Sequence, residues 1–346
     1  MNLIAAFADQ SVSCTRLGSP FMGQLCNILA KHWPHETALG VRCAAFEGDL
    51  GAPGVSVPLR VASGLHALVI SGRAPLLSAV YPPNSATDDA VRDAVLSALV
   101  THEEFMLDWI ESPPQTNEVR RSAALMGGAA VAHQYFVHPI WLSELGASGG
   151  LNLMWDHFAL KVAGDVVGAR DAVLTLSPDW QGPPPPTTLP RIAGRAGVDL
   201  NPLDPRDPDH LLHLMAFLWP DQPHRLEITR AAAAIVDAPL IRGDAIEWLA
   251  ERLEDAPDNH LHLIQHTVAW QYFPPAAQAR GQKLIEEAGR LATADRPLAW
   301  LAMETDGDVT GAVGAALTLR LWPGDLTLAL GRVDFHGRWV NWTGGR

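Results

Sequence analysis

The sequence predicts an α/β protein in two parts: a helical domain over residues 1–115, then a doubly wound sheet over 116–346 that ends in an antiparallel hairpin. Three observations predict it. The first 115 residues hold apolar runs at helical spacing and no strand alternation of any length. Ile140 to Leu145 is a short apolar run that enters glycines and returns as helically spaced apolar residues, the opening unit of a doubly wound sheet. Strands and helices then alternate toward the C-terminus.

In the N-terminal part, Thr87 can cap a helix whose first turn carries Asp88 and Asp89. Val91, Val95, Leu99, Met106 and Ile110 would form one buried stripe along it, ended by Pro113-Pro114. Similar runs lie at Phe21 to Leu29 and Val61 to Ile70. Beyond the prolines a helix is expected over 118–135, a strand over 140–145, and a helix over Leu151 to Phe158 from the spacing of Leu151, Met154, Trp155 and Phe158. Residues 159–178 read as a β-hairpin, and the prolines Pro183 to Pro186 make an extended connector, so 159–195 reads as an insertion. Helices follow at 208–218 and 224–236, a strand at 239–242, a helix at 245–254, a strand at 260–267, a helix at 275–292 and a strand at 298–303. Strands at 316–321 and 326–333 flank Pro323-Gly324-Asp325 as a hairpin.

The chain has 346 residues, 48% of them hydrophobic and 18% charged, enough to bury a full-sized core and too apolar for disorder. A net charge of −13 with no basic patch disfavours nucleic acid as a partner. Cys14, Cys26 and Cys43 match neither a zinc pair nor a C-x-x-C motif, and the three scattered thiols fit a reducing cytoplasm. The sequence MNLIAAFADQ has no signal-peptide pattern, and no apolar stretch of about 18 residues exists, so no membrane partner is expected. His102-Glu103-Glu104-Phe105-Met106 fails the H-E-x-x-H pattern, and His210 and His213 lack partner ligands, so no metal is expected. No phosphate-binding loop with its lysine is present. The oligomeric state is not legible.

Glu144-Leu145-Gly146-Ala147-Ser148-Gly149-Gly150 carries the most chemistry. Glu144, Gly146 and Gly150 resemble motif I of the Rossmann-like S-adenosylmethionine-dependent methyltransferases, with Ser148 where a middle glycine is usual. The resemblance implies a Rossmann-like methyltransferase-type sheet that binds S-adenosylmethionine, with glycines letting the backbone approach and helix amides receiving the carboxylate. The same residues satisfy Gly-x-Ser-x-Gly, the nucleophile elbow of α/β-hydrolases, for which Asp306 or Asp308 and then His336 supply the acid and base. The bland alternative makes Ser148 a helix cap in a non-catalytic ligand-binding or interaction protein.

The methyltransferase resemblance implies an acid after the second strand for the ribose hydroxyls, met by Asp199, given the insertion, or by Asp179; either could instead be a turn residue, the commonest fate of an Asp next to Asn and Pro. It implies that Asp244 of Gly243-Asp244-Ala245 accepts the adenine amino group while the Ala245 amide meets the ring; capping of the next helix is the other reading. His266, leaving the fourth strand, would be the general base toward a small-molecule acceptor, or else a core histidine. Tyr272 or Trp270 could sit over the sulfonium, or in the core. Asn117, Glu118 and Arg121 could line the substrate side, with Arg121 pairing a carboxylate, or serve as a cap and solvated charges.

Over nearly its whole length, through TNEVRRSAAL (116–125), ELGASGGLNLMWDHF (144–158), VDLNPLD, WPDQPHR, RGDA and FHGRWVNW, the sequence also resembles an uncharacterised bacterial domain-of-unknown-function family. That resemblance implies no reaction, because sites rather than folds carry function.

Overall fold

A computed structural model describes residues 1–307 and 313–344. The chain divides into two units, Met1–Thr116 with Asp207–Glu227, and Asn117–Arg206 with Ile228–Arg346.

The first unit is helical: α1 (Leu3–Arg16), α2 (Pro20–His32), α3 (Ala38–Ala44), α4 (Val57–Ile70), α5 (Pro75–Ser78), α6 (Asp88–Thr101) and α7 (Glu103–Trp109). Local chemistry starts several of them, because Asn2, Ser19, Thr37 and Thr87 each accept an amide of the following first turn. Their apolar faces form one core that includes Phe7, Leu25, Leu65, Val95 and Met106. The single helix expected from Thr87 to the prolines is two helices, parted at His102, whose φ of −113° leaves the helical region. Leu99 and Met106 are still buried, so the stripe survives the break.

The returning segment Asp207–Glu227 contributes α8 (Pro208–Ala216), the first turn of α9 (Pro223–Ala233), and Trp219, which is buried in this helical core. Asp221 fastens it, accepting from the Ser19 hydroxyl and the Phe21 amide at 2.5 and 3.0 Å.

The second unit is a mixed α/β body. It opens with a 3₁₀ turn at Val119–Arg121 and α10 (Ser122–Tyr135), then β1 (Ile140–Leu145). A hairpin of β2 (Phe158–Val162) and β3 (Asp165–Gly168) follows, joined by β4 (Leu174–Leu176) into a separate three-stranded sheet. The remaining elements are β5 (Asp179–Gln181), β6 (Ile192–Asp199), β7 (Leu240–Arg242), α11 (Ala245–Glu254), β8 (Leu261–Thr267), α12 (Pro275–Leu291), β9 (Leu298–Glu304), β10 (Ala315–Trp322), β11 (Leu326–Val333) and β12 (Trp339–Trp342).

The main sheet runs β5-β12-β11-β10-β9-β8-β1-β6-β7. From β9 to β7 every neighbouring pair is parallel, whereas β10, β11 and β12 are antiparallel to their predecessors. Side-chain alternation assigns the faces. Leu145, Val198, Ile264 and Leu298 pack with Leu249 of α11 and Ile285 of α12. Leu301 points the other way, toward α10, where a Cβ added to Gly128 would lie 2.5 Å from it. Helices thus cover both faces, as parallel strands require.

Leu151–His157 is a 3₁₀ helix rather than the expected α-helix, and Phe158 already belongs to β2. Leu151 to Trp155 are all buried, the Trp155 indole donates to Gln265 at 3.1 Å, and the Asn152 carbonyl is taken by a side chain from β8, the Gln265 amide donating to it at 3.1 Å. No helix among the described residues is long and apolar enough to cross a membrane.

Candidate functional site

The strand order reverses direction about β1: the chain places β6 and β7 on one side of it and β8 and β9 on the other. In open parallel sheets such a switch point leaves a crevice outside the carboxyl ends of the strands. The residues leaving β1, β6, β7 and β8 therefore define the candidate site.

Gly146, at φ 69°, begins the turn after β1, and a Cβ there would lie 2.6 Å from that of Ala269. Only glycine fits the two exits so close together. Both exits also hold non-glycine residues in the left-handed region, Ser148 at φ 52° and the β-branched Val268 at φ 52°. Such conformations persist only where the surroundings impose them, and they cluster at ligand sites.

The constraint at Val268 comes from Glu304, at the end of β9. Its Oε1 accepts from the Ala269 and Trp270 amides at 2.9 and 3.1 Å and from His266 Nδ1 at 2.7 Å. Burial acts to raise the Glu304 carboxyl, but the His266 bond and these amides hold it below its ordinary value. The Trp300 indole, which can only donate, reaches His266 Nε2 at 2.8 Å. Nε2 is therefore the acceptor and Nδ1 carries the hydrogen. With 1% exposure and a Trp270 ring stacked 5.1 Å away, His266 as bonded has no lone pair to offer an acceptor molecule. Its geometry matches the core-histidine reading. Tyr272 is not in the core: it is 75% exposed at the rim of the same turn.

On the other flank, Asp199 at the end of β6 accepts the Ser148 amide on Oδ2 and the Asn201 amide on Oδ1, both at 2.9 Å. Asp179 lies in β5 at the far edge of the sheet, away from β1, so of the two acids Asp199 adjoins the glycine turn. Gly146 and Ala147 donate to the Val198 carbonyl, Gly150 donates to that of Ala147, and Leu151 donates to Asn117 Oδ1. These turn amides are engaged within the chain, unlike the open amide cradle that the motif implied. Asp244, exposed after β7, caps α11 through Oδ1 with the Ile246 and Glu247 amides at 2.9 and 3.0 Å, and Ala245 is the first helical residue.

Behind the turn lies a buried polar cluster. Glu144 is 2% exposed, and among the described residues its Oε2 has no hydrogen-bond partner. Burial pushes its carboxyl up to about 8; the Gln265 side chain opposes this, the Asp199 charge adds to it, and Arg121 opposes it. Glu144 is mainly protonated at neutral pH. Asn117, Glu118 and Arg121 are all buried, not solvated. Glu118 caps the 3₁₀ turn and pairs with Arg120 at 3.0 Å. Arg121, expected to pair a substrate carboxylate, donates to the backbone carbonyls of Phe335 and Thr267 at 2.8 and 3.1 Å.

Sequence reasoning missed Glu304, Gln265 and Trp300. Glu304 had a signal, an acid closing the alternating strand LAWLAME, but its partners lie more than 30 residues away in the chain. For the esterase alternative, Asp306 is held by Arg332 in an ion pair, and Asp308 lies outside the described residues. Among the described residues no group of three or more His, Cys, Asp or Glu could hold a metal ion.

A family model described as an uncharacterized protein conserved in bacteria (DUF2332) matches residues 4–342. No curated protein and no solved structure matches the chain.

Proposed function

We propose that this chain, which belongs to the uncharacterized bacterial family DUF2332, is an S-adenosylmethionine-dependent methyltransferase acting on a small molecule. The observation that carries the reading is the parallel strand order β7-β6-β1-β8-β9 with the glycine turn on the central strand. That order is common to doubly wound sheets and is compatible with a Rossmann-like methyltransferase sheet, and it brings Asp199 and Asp244 to the ends of the next two strands on one side.

The donor set fits the ribose and adenine better than the methionine carboxylate. Each Asp199 oxygen has accepted one amide, and a carboxylate oxygen has two lone pairs, so ribose hydroxyls can still be received. Asp244 uses one oxygen for its cap and leaves the other toward an adenine amino group. The engaged amides of Gly146, Ala147 and Gly150 leave little of the backbone cradle for a carboxylate. S-Adenosylmethionine supplies an electrophilic methyl group, and the protein's part is chiefly alignment. The Glu304 carboxylate fixes the β8 exit, and His266 acts through it as a positioning residue; to accept a proton itself, its Nε2 would first have to be released by Trp300. Tyr272 offers an exposed ring to the sulfonium or the acceptor.

Calorimetric titration with S-adenosylhomocysteine tests the reading. Saturable binding is expected, weakened by about 1–3 kcal/mol in Asp199→Ala, the usual cost of removing a charged hydrogen-bond partner. Absence of binding to the folded wild-type protein refutes it.

A second reading is favoured by one observation: Ser148 holds a positive φ within Gly-x-Ser-x-Gly, as the serine of a strained nucleophile elbow would. That alternative, an α/β-hydrolase-like esterase, requires covalent labelling of Ser148 by a fluorophosphonate.

A further inference from the structure

We propose that a second small-molecule site lies at the opposite end of the strands, in the cavity between α11 and α12, and that it takes an apolar carboxylic acid. The cavity has a volume of about 470 Å³ and reaches the first residues of β8 and β9. Small-molecule sites commonly occupy roughly 300–1,000 Å³. Its walls are aliphatic, with Leu253 from α11 and Leu284 and Ala288 from α12. Leu291, also in the lining, is 81% exposed and gives the mouth an apolar lip.

The polar feature is His262, whose identity as a donor follows from its neighbours. Ser143 Oγ accepts from Arg252 Nε at 3.1 Å and lies 2.9 Å from His262 Nε2. A hydroxyl can accept twice, but among the described residues the Ser143 hydrogen has no acceptor other than His262 Nε2, so it goes there and the ring hydrogen sits on Nδ1. That buried Nδ1 has no hydrogen-bond partner among the described residues. Buried donors are nearly always satisfied, so an unsatisfied one on a residue that lines a cavity points to an acceptor that enters from outside.

The charges that reach His262 favour an anionic acceptor. Burial, then the charges of Arg252 and Arg296, lower the His262 pKa to about 3, so the ring stays neutral while two guanidinium groups make its surroundings positive. Arg296 itself lines the cavity, and its pairing with Asp258 is solvent-exposed. Glu254 and Glu287 also line it; both are exposed, and Glu287 faces Lys283 at 3.8 Å. An acid with an aliphatic tail can place its carboxylate toward His262 and Arg296 and its chain against the helix leucines.

The test uses decanoate labelled with ¹³C at its carboxyl carbon, below its self-association concentration, titrated into the full-length protein. Saturable one-site binding is expected, with no binding of decylamine and no displacement by S-adenosylhomocysteine. His262→Phe keeps the ring and deletes the donor, and should weaken binding at least tenfold. Ala288→Trp fills the cavity from a half-buried helix position and should abolish binding, which keeps the test decisive if the His262 variant does not fold. Absence of saturable binding, equal binding of decylamine, displacement by S-adenosylhomocysteine, or undiminished binding in Ala288→Trp would each overturn the proposal.

Discussion

Replacing Glu144 with glutamine should make the protein more stable, and increasingly so as the pH rises. The carboxyl is fully buried with its pKa raised to about 8 from an ordinary 4.5, so the native state binds a proton that the unfolded chain releases across that interval. For an acid with a raised native pKa, stability is unaffected below about pH 4.5, falls as the pH climbs toward 8, and stays reduced above it. Linkage gives a penalty of about 1 kcal/mol at pH 5, about 3 at pH 7 and about 5 at pH 9. Glutamine has the same shape and does not titrate, so the stability difference between variant and wild type should widen by about 4 kcal/mol from pH 5 to pH 9, other groups cancelling. Urea unfolding at pH 5, 7 and 9 with matched m-values measures it. A difference that stays flat within about 0.5 kcal/mol would mean that Glu144 is ionised in the native protein, and the account of the cluster behind the glycine turn would fall with it.

Other outcomes follow from the same geometry. Gly146→Ala places a methyl 2.6 Å from the Ala269 Cβ at φ 69° and should cost at least about 2 kcal/mol in unfolding free energy, whereas Gly243→Ala meets nothing within 4 Å and should change it by less than about 1 kcal/mol. Val268→Gly relieves a left-handed β-branched residue, so its loss in the same assay should be at least about 1 kcal/mol smaller than that of Val198→Gly in strand β6. Asp244→Ala removes a cap holding two amides and should lower unfolding free energy by about 1 kcal/mol whether or not a nucleotide binds there.

Much of the architecture was legible because local chemistry and tertiary demand agree. β1 and α11 run over the expected residues, one ending in a glycine turn and the other starting on an aspartate cap. β5 and β12 escaped because they have three and four residues and gain their pairing only from each other and from the sheet edge. The 3₁₀ helix escaped because periodicity reports apolar spacing and is silent about burial on the remaining faces. At the site, the acids after β6 and β7 were visible as strand-end residues. The neutral state of Glu144 and the double engagement of His266 were not, since each depends on partners from distant segments such as Gln265, Trp300 and Glu304.

The return of Asp207–Glu227 to the helical unit sets the order in which the polypeptide can mature. Trp219 belongs to the core that Phe7 and Leu25 begin, so that core stays open until more than 200 residues have emerged from the ribosome. By then β1 to β6 have already been synthesised, and the helices at the N-terminus wait with an apolar face uncovered. A nascent chain arrested near residue 116 would present that face to chaperones, and one arrested past residue 227 would not.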